Sequence, residues 1–346
     1  MKKLWYNFFK IYVQTGLFFY TKKIKIVGKK NIPKKGAVLF AVNHPNGLID
    51  SLLVTTNSPR VTHYLVRAAI FKKPIVKKFL ATLNLMPIYR IRDGVKELSK
   101  NTEVFNDCYD ILNKQRALMI FPEGSHDKRR TIRTISKGFT RILFGALEKY
   151  PDLKITVIPV GVTYQKAGQY PCKVAIHYGK PILANDFYNP DEINPSIKKI
   201  KNAVSSQLKE LSVHIPFDEN YETTLQRLND HKVDFTNIEE VNKMVQSGNI
   251  YALKSGFNYG LLFKIPFILN SLIPWILWKV LSKKIDEIEF VDTFRFGIGI
   301  TLLPMYYLIQ TLVVYEVYDS IIAGIYVAIS LLVALSYSKL STTPTE

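Results

Sequence analysis

Two stretches near the C-terminus contain no charged residue: FGIGITLLPMYYLIQTLVV, 296–314, and SIIAGIYVAISLLVALSYS, 320–338. Each is close to the roughly 20 residues that a helix needs to cross a bilayer. Lipid offers no hydrogen bonds to a bare backbone, so such stretches must be helical. The intervening YEVYD is short, and the pair therefore reads as a transmembrane helical hairpin. Tyrosines near the span ends favour this over helices buried in a large soluble domain. A third apolar stretch, 258–281, is interrupted by Lys264, Pro266, Asn270 and Pro274. The loop after it carries Lys283, Lys284 and Arg295, whereas YEVYD carries only acids. The positive-inside rule then places 282–295 on the cytoplasmic side of the membrane, and the basic remainder of the chain with it. A segment with both flanks on one side cannot cross once, so 258–281 is expected to be in-plane or re-entrant.

Upstream the pattern is different. AVLFAV (37–42), ALMIFPEGS (117–125) and ITVIPVGVTY (155–164) are short, nearly wholly apolar runs that end at turn residues. Strands buried on both faces have this character. Gly28, Pro33 and Gly36 separate AVLFAV from an earlier strand candidate at residue 24 onward, and 172–182 supplies a further strand. Helical patterns fall between them, at 47–57, 72–82, 95–114 and 138–149. Alternating strands and helices imply an α/β domain with a largely parallel sheet flanked by helices, over 24–183. Functional loops in such sheets lie beyond the carboxyl ends of the strands. Residues 184–255 read as a polar helical extension, and 256–346 as the membrane segment. Residues 1–23 place Leu4, Phe8, Ile11 and Phe18 on one helical face with lysines at both ends, which suits an amphipathic helix lying on a membrane. The alternative for that helix is docking on the protein's own core.

The 47 lysines and arginines against 28 acids leave a formal charge of +19. Such an excess attracts polyanions: nucleic acid, anionic lipid or phosphorylated small molecules. No finger, RNP-like or helix-turn-helix signature supports nucleic acid, and the uncharged spans favour lipid. The two cysteines, Cys108 and Cys172, form no CxxC or Cys/His ladder, so neither a zinc site nor a disulfide framework is expected.

The chemistry concentrates at four strand ends. NHPNGLID (43–50) holds His44 and Asp50 around Pro45 and Gly47. Proline drives His44 out of helical geometry, Gly47 allows a sharp turn, and a helix beginning near 46–48 puts Asp50 in its first turns. The side chains can then meet across the turn. A carboxylate on one imidazole nitrogen leaves the other free to take a proton from an alcohol; an ordinary turn histidine beside a capping aspartate reads equally well. FPEGSHDKRR (121–130) offers Glu123, Gly124, Ser125 and His126 beside Lys128, Arg129, Arg130 and Arg133, a loop of N–H groups and cations suited to phosphate. LMPIYRIRDG (85–94) brings Arg90 and Arg92, planar two-pronged phosphate binders. VIPVGVTY (157–164) suits the wall of an acyl pocket. Together the four are far more specific than any one.

In that order the motifs resemble the blocks of the glycerolipid acyltransferase family, which includes lysophosphatidate and glycerol-3-phosphate acyltransferases. The resemblance covers about residues 24–182. NHPNGLID is similar to the family's histidine–aspartate block, MPIYRIRD to its arginine block, FPEGSHD and VIPVGV to the third and fourth, and ISKGFTRI, with Lys137, to the stretch after the third. Five residues separate His44 from Asp50 where four are usual, and Ser125–His126 stands where threonine and arginine are usual. Both departures resemble the branch containing fungal glycerol-3-phosphate and dihydroxyacetone-phosphate acyltransferases.

The resemblance implies a glycerol-3-phosphate acyltransferase-like fold and an enzyme of phospholipid biosynthesis that needs no metal or other cofactor. His44, aided by Asp50, would take the proton from an acceptor hydroxyl, which attacks an acyl-CoA or acyl carrier protein thioester without an acyl-enzyme. Arg90 falls on the family's phosphate-binding arginine. Glu123, Gly124, Ser125, His126, Arg129, Arg130 and Lys137 complete the implied substrate-binding set. The implied acceptor is 1-acylglycerol-3-phosphate, with glycerol-3-phosphate or another lysolipid as the alternative. Different readings of the same chain are a nucleic-acid-binding module and an inactive lipid-binding homologue.

Overall fold

The structure, a computed structural model, describes residues 2–89, 95–252 and 258–343. Its strands are β1 (Thr21–Val27), β2 (Ala37–Val42), β3 (Thr62–Arg67), β4 (Leu85–Ile88), β5 (Ala117–Ile120), β6 (Ile155–Tyr164), β7 (Cys172–Tyr178) and β8 (Ile182–Leu183). Its helices are α1 (Lys2–Tyr20), α2 (Gly47–Asn57), α3 (Pro74–Thr82), α4 (Asn101–Asn113), α5 (Lys137–Lys149), α6 (Ile193–Leu211), α7 (Tyr221–Asp230), α8 (Ile238–Ser247), α9 (Leu261–Asn270), α10 (Leu272–Ser282), α11 (Val291–Val317) and α12 (Ser320–Leu340). The strands form one sheet in the order β1-β7-β6-β2-β5-β3-β4, with β8 also paired to β6. All pairings are parallel except β6 with β7 and with β8.

β2 shows why the sheet must be covered on both sides. Its six residues are all buried, and successive side chains enter opposite layers. Ala37, Leu39 and Ala41 join the layer of α4, α5 and α6, with Leu112, Phe139, Ile142 and Val204. Val38, Phe40 and Val42 join the layer of α1 and α2, with Leu17, Ile49 and Leu53. Phe296 of α11 packs into that second layer, so the C-terminal portion contributes to the core. Truncating Leu39 or Phe40 to alanine would cost about 2–5 kcal/mol, the usual range for such a core site.

Three details depart from the sequence reading. β3, with its polar start Thr62–His63, was not foreseen. The strand expected over 172–182 breaks at Gly179–Pro181: Gly179 lies under α6, where an added Cβ would sit 2.4 Å from Gln207 Oε1, and the chain resumes as β8. Residues 184–255 are more than a solvated extension. Ile200, Val204 and Leu208 of α6 are fully buried against the sheet, and α7 and α8 build a satellite core around Tyr221, Leu228, Phe235 and Val241.

α1 buries Tyr6 and Leu17 and lays Gly16 against Phe296 and Ile300 of α11. Its other face stays uncovered: Leu4, Phe8, Ile11 and Phe18 are 75%, 60%, 64% and 52% exposed. Two C-terminal helices, Ile288–Val317 (with the short turn that precedes α11) and Ser320–Leu340, are long and apolar enough to cross a membrane. The Asp319 carboxylate caps the second, accepting from Ile321 N at 2.7 Å and Ile322 N at 2.8 Å. Between α9 and α10 the axis turns by 96°, so 258–281 makes no straight crossing. The corner is polar and sits midway along the two long helices. Asn270 Nδ2 donates to Ser330 Oγ (2.9 Å), Tyr326 OH donates to Asn270 Oδ1 (2.9 Å), and Ser271 Oγ meets Tyr307 OH at 2.7 Å. Polar groups inside an apolar helical assembly need such partners.

Candidate active site

The carboxyl end of β2 builds the site. Asn43 clamps this end to β6: its backbone N–H donates to Val160 O at 3.3 Å. Its side-chain amide exchanges hydrogen bonds with Val162 O and N, at 3.1 and 2.7 Å. The chain then leaves the sheet through His44 and Pro45, and Gly47, at φ +49°, starts α2. That conformation is the left-handed one that glycine adopts without strain. Asp50 lies in the first turn of α2 and is fully buried.

His44 Nδ1 lies 2.8 Å from Asp50 Oδ2. The same oxygen accepts the Asn46 backbone N–H at 2.7 Å, and Oδ1 accepts Tyr164 OH at 2.7 Å. A carboxylate can only accept, so Nδ1 carries the shared proton and Nε2 is left as the acceptor nitrogen. Burial, then the Asp50 charge, hold the Tyr164 phenol well above its ordinary pKa, which keeps it a donor. The His44 ring stacks on Phe121 at 3.7 Å between centroids and meets the His126 ring edge-on at 5.7 Å.

His44, Phe121 and His126 face a cavity of about 590 Å³. His44, Ser125 and His126 are among its lining residues. Leu65, Ile70, Ile88, Phe290 and Phe294 supply apolar surface, and Arg67 and Arg141 bring cations to it. Ser136 and Gly138, at the start of α5, also line it. The N-terminus of a helix favours negative charge.

The sequence-derived substrate set divides here. Gly124, Ser125 and His126 line the cavity with His44. His126 Nε2 also meets Glu287 Oε2 at 2.9 Å. Burial lowers the His126 pKa, a shift that the Glu287 hydrogen bond opposes and the His44 charge reinforces. Glu123 is turned behind the loop. Its side chain is 4% exposed and pairs with Arg133 Nε at 2.7 Å, and Arg133 in turn holds Ser125 Oγ at 2.8 Å. Burial raises the Glu123 pKa against the lowering by Arg133. Arg129 and Arg130, expected at a phosphate, do not line this cavity among the described residues. Arg129 forks onto Asp127 and stacks on Phe217 at 4.3 Å. Arg130 is buried, donates to the Tyr164 and Gln165 carbonyls at 3.0 and 2.8 Å, and lies 3.6 Å from the Phe235 ring centroid. It ties the loop to the satellite core of 213–244, because isolated from water its donors need fixed acceptors. Lys137 is exposed and lies close enough to Lys201 to lower the pKa of that residue, after the larger effect of burial. Arg90 and Arg92 lie outside the described residues. VIPVGVTY, expected at the wall of an acyl pocket, does not line the cavity among the described residues; it supplies Tyr164 to Asp50, while Gly161 admits the close approach of the Leu211 carbonyl.

The sequence reading missed Tyr164, Asn46, Arg141 and the segment 287–294. Tyr164 closes a block already singled out and Arg141 falls within ISKGFTRI, so both had a local signal. Glu287, Phe290, Thr293 and Phe294 had none, being more than 200 residues from His44 in the chain. Both thiols are buried, and burial pushes Cys108 and Cys172 up to about 12, far from thiolate chemistry. Among the described residues no group of three or more His, Cys, Asp or Glu side chains is placed to hold a metal.

Residues 23–163 match the family model described as Acyltransferase. Glycerol-3-phosphate O-acyltransferase 2 of Saccharomyces cerevisiae is 30% identical over 113 residues, 31% of this chain and 15% of that protein. A probable 1-acyl-sn-glycerol-3-phosphate acyltransferase of Mycoplasma pneumoniae is 28% identical over 163 residues, 44% of this chain and 56% of that protein. The crystal structure of the 1-acyl-sn-glycerophosphate (LPA) acyltransferase PlsC from Thermotoga maritima superimposes with a TM-score of 0.44 and 17% identity, covering 60% of this chain and 81% of that one. The matched stretch thus spans a small part of the yeast relative and about half of the mycoplasma one. Over residues 23–163 this chain is similar to the acyltransferase family.

Proposed function

We propose that the protein is a membrane-bound O-acyltransferase of phospholipid biosynthesis. It moves a fatty acyl group from acyl-CoA or acyl carrier protein to the hydroxyl of a phosphorylated glycerol acceptor, 1-acylglycerol-3-phosphate before glycerol-3-phosphate. The observation that carries this reading is the His44–Asp50 hydrogen bond of 2.8 Å at a cavity lined by both apolar side chains and the cations Arg67 and Arg141. His44 Nε2 takes the acceptor hydroxyl proton as the oxygen attacks the thioester carbonyl. Asp50 stabilises the imidazolium so formed. The proton then leaves with the thiol as the tetrahedral intermediate collapses. The N-terminal turn of α5 favours the developing oxyanion. Arg141, Arg67 and His126 meet the acceptor's phosphate, with Arg90, two residues beyond the cavity-lining Ile88. The uncovered face of α1 and the two long C-terminal helices hold the protein to an anionic bilayer, with the catalytic domain on the cytoplasmic side.

The test is an acyl-transfer assay on detergent-purified protein, with both donors against glycerol-3-phosphate, 1-acylglycerol-3-phosphate and other lysolipids. Transfer to the lysophosphatidate acceptor, lost in His44→Ala, is expected. Equal transfer by wild type and His44→Ala would refute the mechanism.

A further inference from the structure

We propose that Asp292, in the first turn of α11, is a positioning residue for the His44–Asp50 pair, so that the C-terminal helices belong to the reaction machinery. The proposal rests on the acyltransferase reading above and assigns a role to a segment outside the family match at 23–163.

Asp292 is 2% exposed. Its Oδ1 accepts Tyr20 OH at 2.5 Å and Arg295 at 3.1 Å. Its Oδ2 accepts Asn46 Nδ2 at 2.8 Å and Gly168 N at 2.7 Å. Three segments distant in sequence therefore meet on one carboxylate, and one of them is the catalytic turn. Asn46 is itself fully buried, and its backbone N–H donates to the Asp50 oxygen that His44 faces. Any displacement of Asn46 is passed to that oxygen.

The capping of α2 shows that this contact takes precedence over local structure. Asn46 is the N-cap of α2, yet its side chain makes no cap hydrogen bond. An asparagine there ordinarily accepts from the second or third N–H of its own helix. Here the amide is committed to Asp292, and Thr293 Oγ1 of α11 accepts the Leu48 N–H instead, at 3.3 Å. Asn46 Oδ1 has no hydrogen-bond partner among the described residues, so the Asp292 contact alone orients the side chain. Gly47 completes the fit: a Cβ there would lie 2.7 Å from the Glu289 carbonyl oxygen. The turn is thus held from outside by residues 289–293.

The experiment compares full-length wild type with Asp292→Ala, Asn46→Ala, the double variant and Asp319→Ala, whose carboxylate caps α12 far from the turn. Two readings are taken: kcat and KM for acyl transfer, and the rate of diethylpyrocarbonate modification at His44 followed by peptide mass spectrometry. Asp292→Ala and Asn46→Ala are each expected to lower kcat by about 10- to 100-fold, the cost of small misplacements in a catalytic constellation. KM for both substrates should stay near wild type, and His44 modification should accelerate several-fold. The double variant should be no worse than the poorer single, because both remove one link. Asp319→Ala should match wild type in both readings. Losses that multiply in the double variant, or unchanged kcat and His44 reactivity in either single variant, would overturn the proposal. Asn46→Ala leaves Asp292 its other three partners and serves if Asp292→Ala does not fold. A wild type that transfers no acyl group would refute the acyltransferase reading, while His44 reactivity would still decide whether Asp292 positions the turn.

Discussion

Asp50→Asn isolates the charge of the pair from its geometry. Three donors converge on Asp50: His44 Nδ1 and the Asn46 N–H on Oδ2, and Tyr164 OH on Oδ1. An asparagine can satisfy the first two only with its oxygen in the Oδ2 place. Its amide nitrogen then faces Tyr164, whose hydroxyl can rotate to accept. The His44 tautomer and the turn are therefore expected to survive. What disappears is the attraction between the carboxylate and the imidazolium formed in the transition state. For charge centres roughly 4 Å apart at an effective dielectric near 20, this is worth about 4 kcal/mol. The near-complete burial of the pair, with His44 15% and Asp50 0% exposed, argues against heavier solvent screening. At about 1.4 kcal/mol per decade, kcat should fall by about 10³-fold. Asp50 does not line the cavity, so KM should hold. Steady-state kinetics with varied donor and acceptor read both quantities. Tyr164→Phe alone removes one hydrogen bond to a charge, about 1.5–3 kcal/mol at most. In the double variant the asparagine loses its acceptor and is free to flip, so the combined loss should exceed the product of the singles. A fall in kcat of less than about tenfold in Asp50→Asn, or a double variant that is simply multiplicative, would refute this reasoning.

Other outcomes follow from the same structure. Arg141→Ala should raise KM for a phosphorylated acceptor by about tenfold or more, the worth of one charge-assisted contact, and leave KM for the donor unchanged; initial-rate kinetics check it. Gly47→Ala must hold a left-handed φ, costing about 1–2 kcal/mol, and its Cβ would meet the Glu289 carbonyl, so thermal denaturation should begin at a lower temperature. Cys108→Ala/Cys172→Ala should retain transfer, since buried thiols raised to about 12 form no acyl-enzyme; a loss of activity in the folded double variant would contradict direct attack. His214 Nδ1 accepts the Ile132 N–H at 3.0 Å, and burial first, then Lys209, lower its pKa from 6.5 to about 4. The folded state thus binds fewer protons than the unfolded chain between those values. The contribution to stability is complete above pH 6.5 and is lost as pH falls toward 4; urea titrations over this range should show a shallower pH slope in His214→Gln.

Much was legible because local patterns were strong. AVLFAV reads as a strand covered on both faces, and the proline–glycine turn after it put His44 and Asp50 where they could meet. β3 escaped because Thr62 and His63 begin it without an apolar signature, and its place between β5 and β4 comes from pairing distant in sequence. The arginine-rich run after FPEGSH looked like a phosphate site because composition reports charge and not direction. Arg129 turns to Asp127 and Arg130 turns inward to backbone carbonyls, and neither choice is written in residue spacing.

The sequence by itself determined the elements whose reasons are local: uncharged helices, doubly buried strands, and a turn bringing a histidine toward an aspartate. Only the tertiary structure decided which polar groups complete the site. Tyr164, Asp292 and Thr293 reach the His44–Asp50 turn from 114 to 246 residues away. The physical reason is that a buried carboxylate or amide must find its partners in three dimensions, while periodicity and turn chemistry report only what neighbours along the chain require.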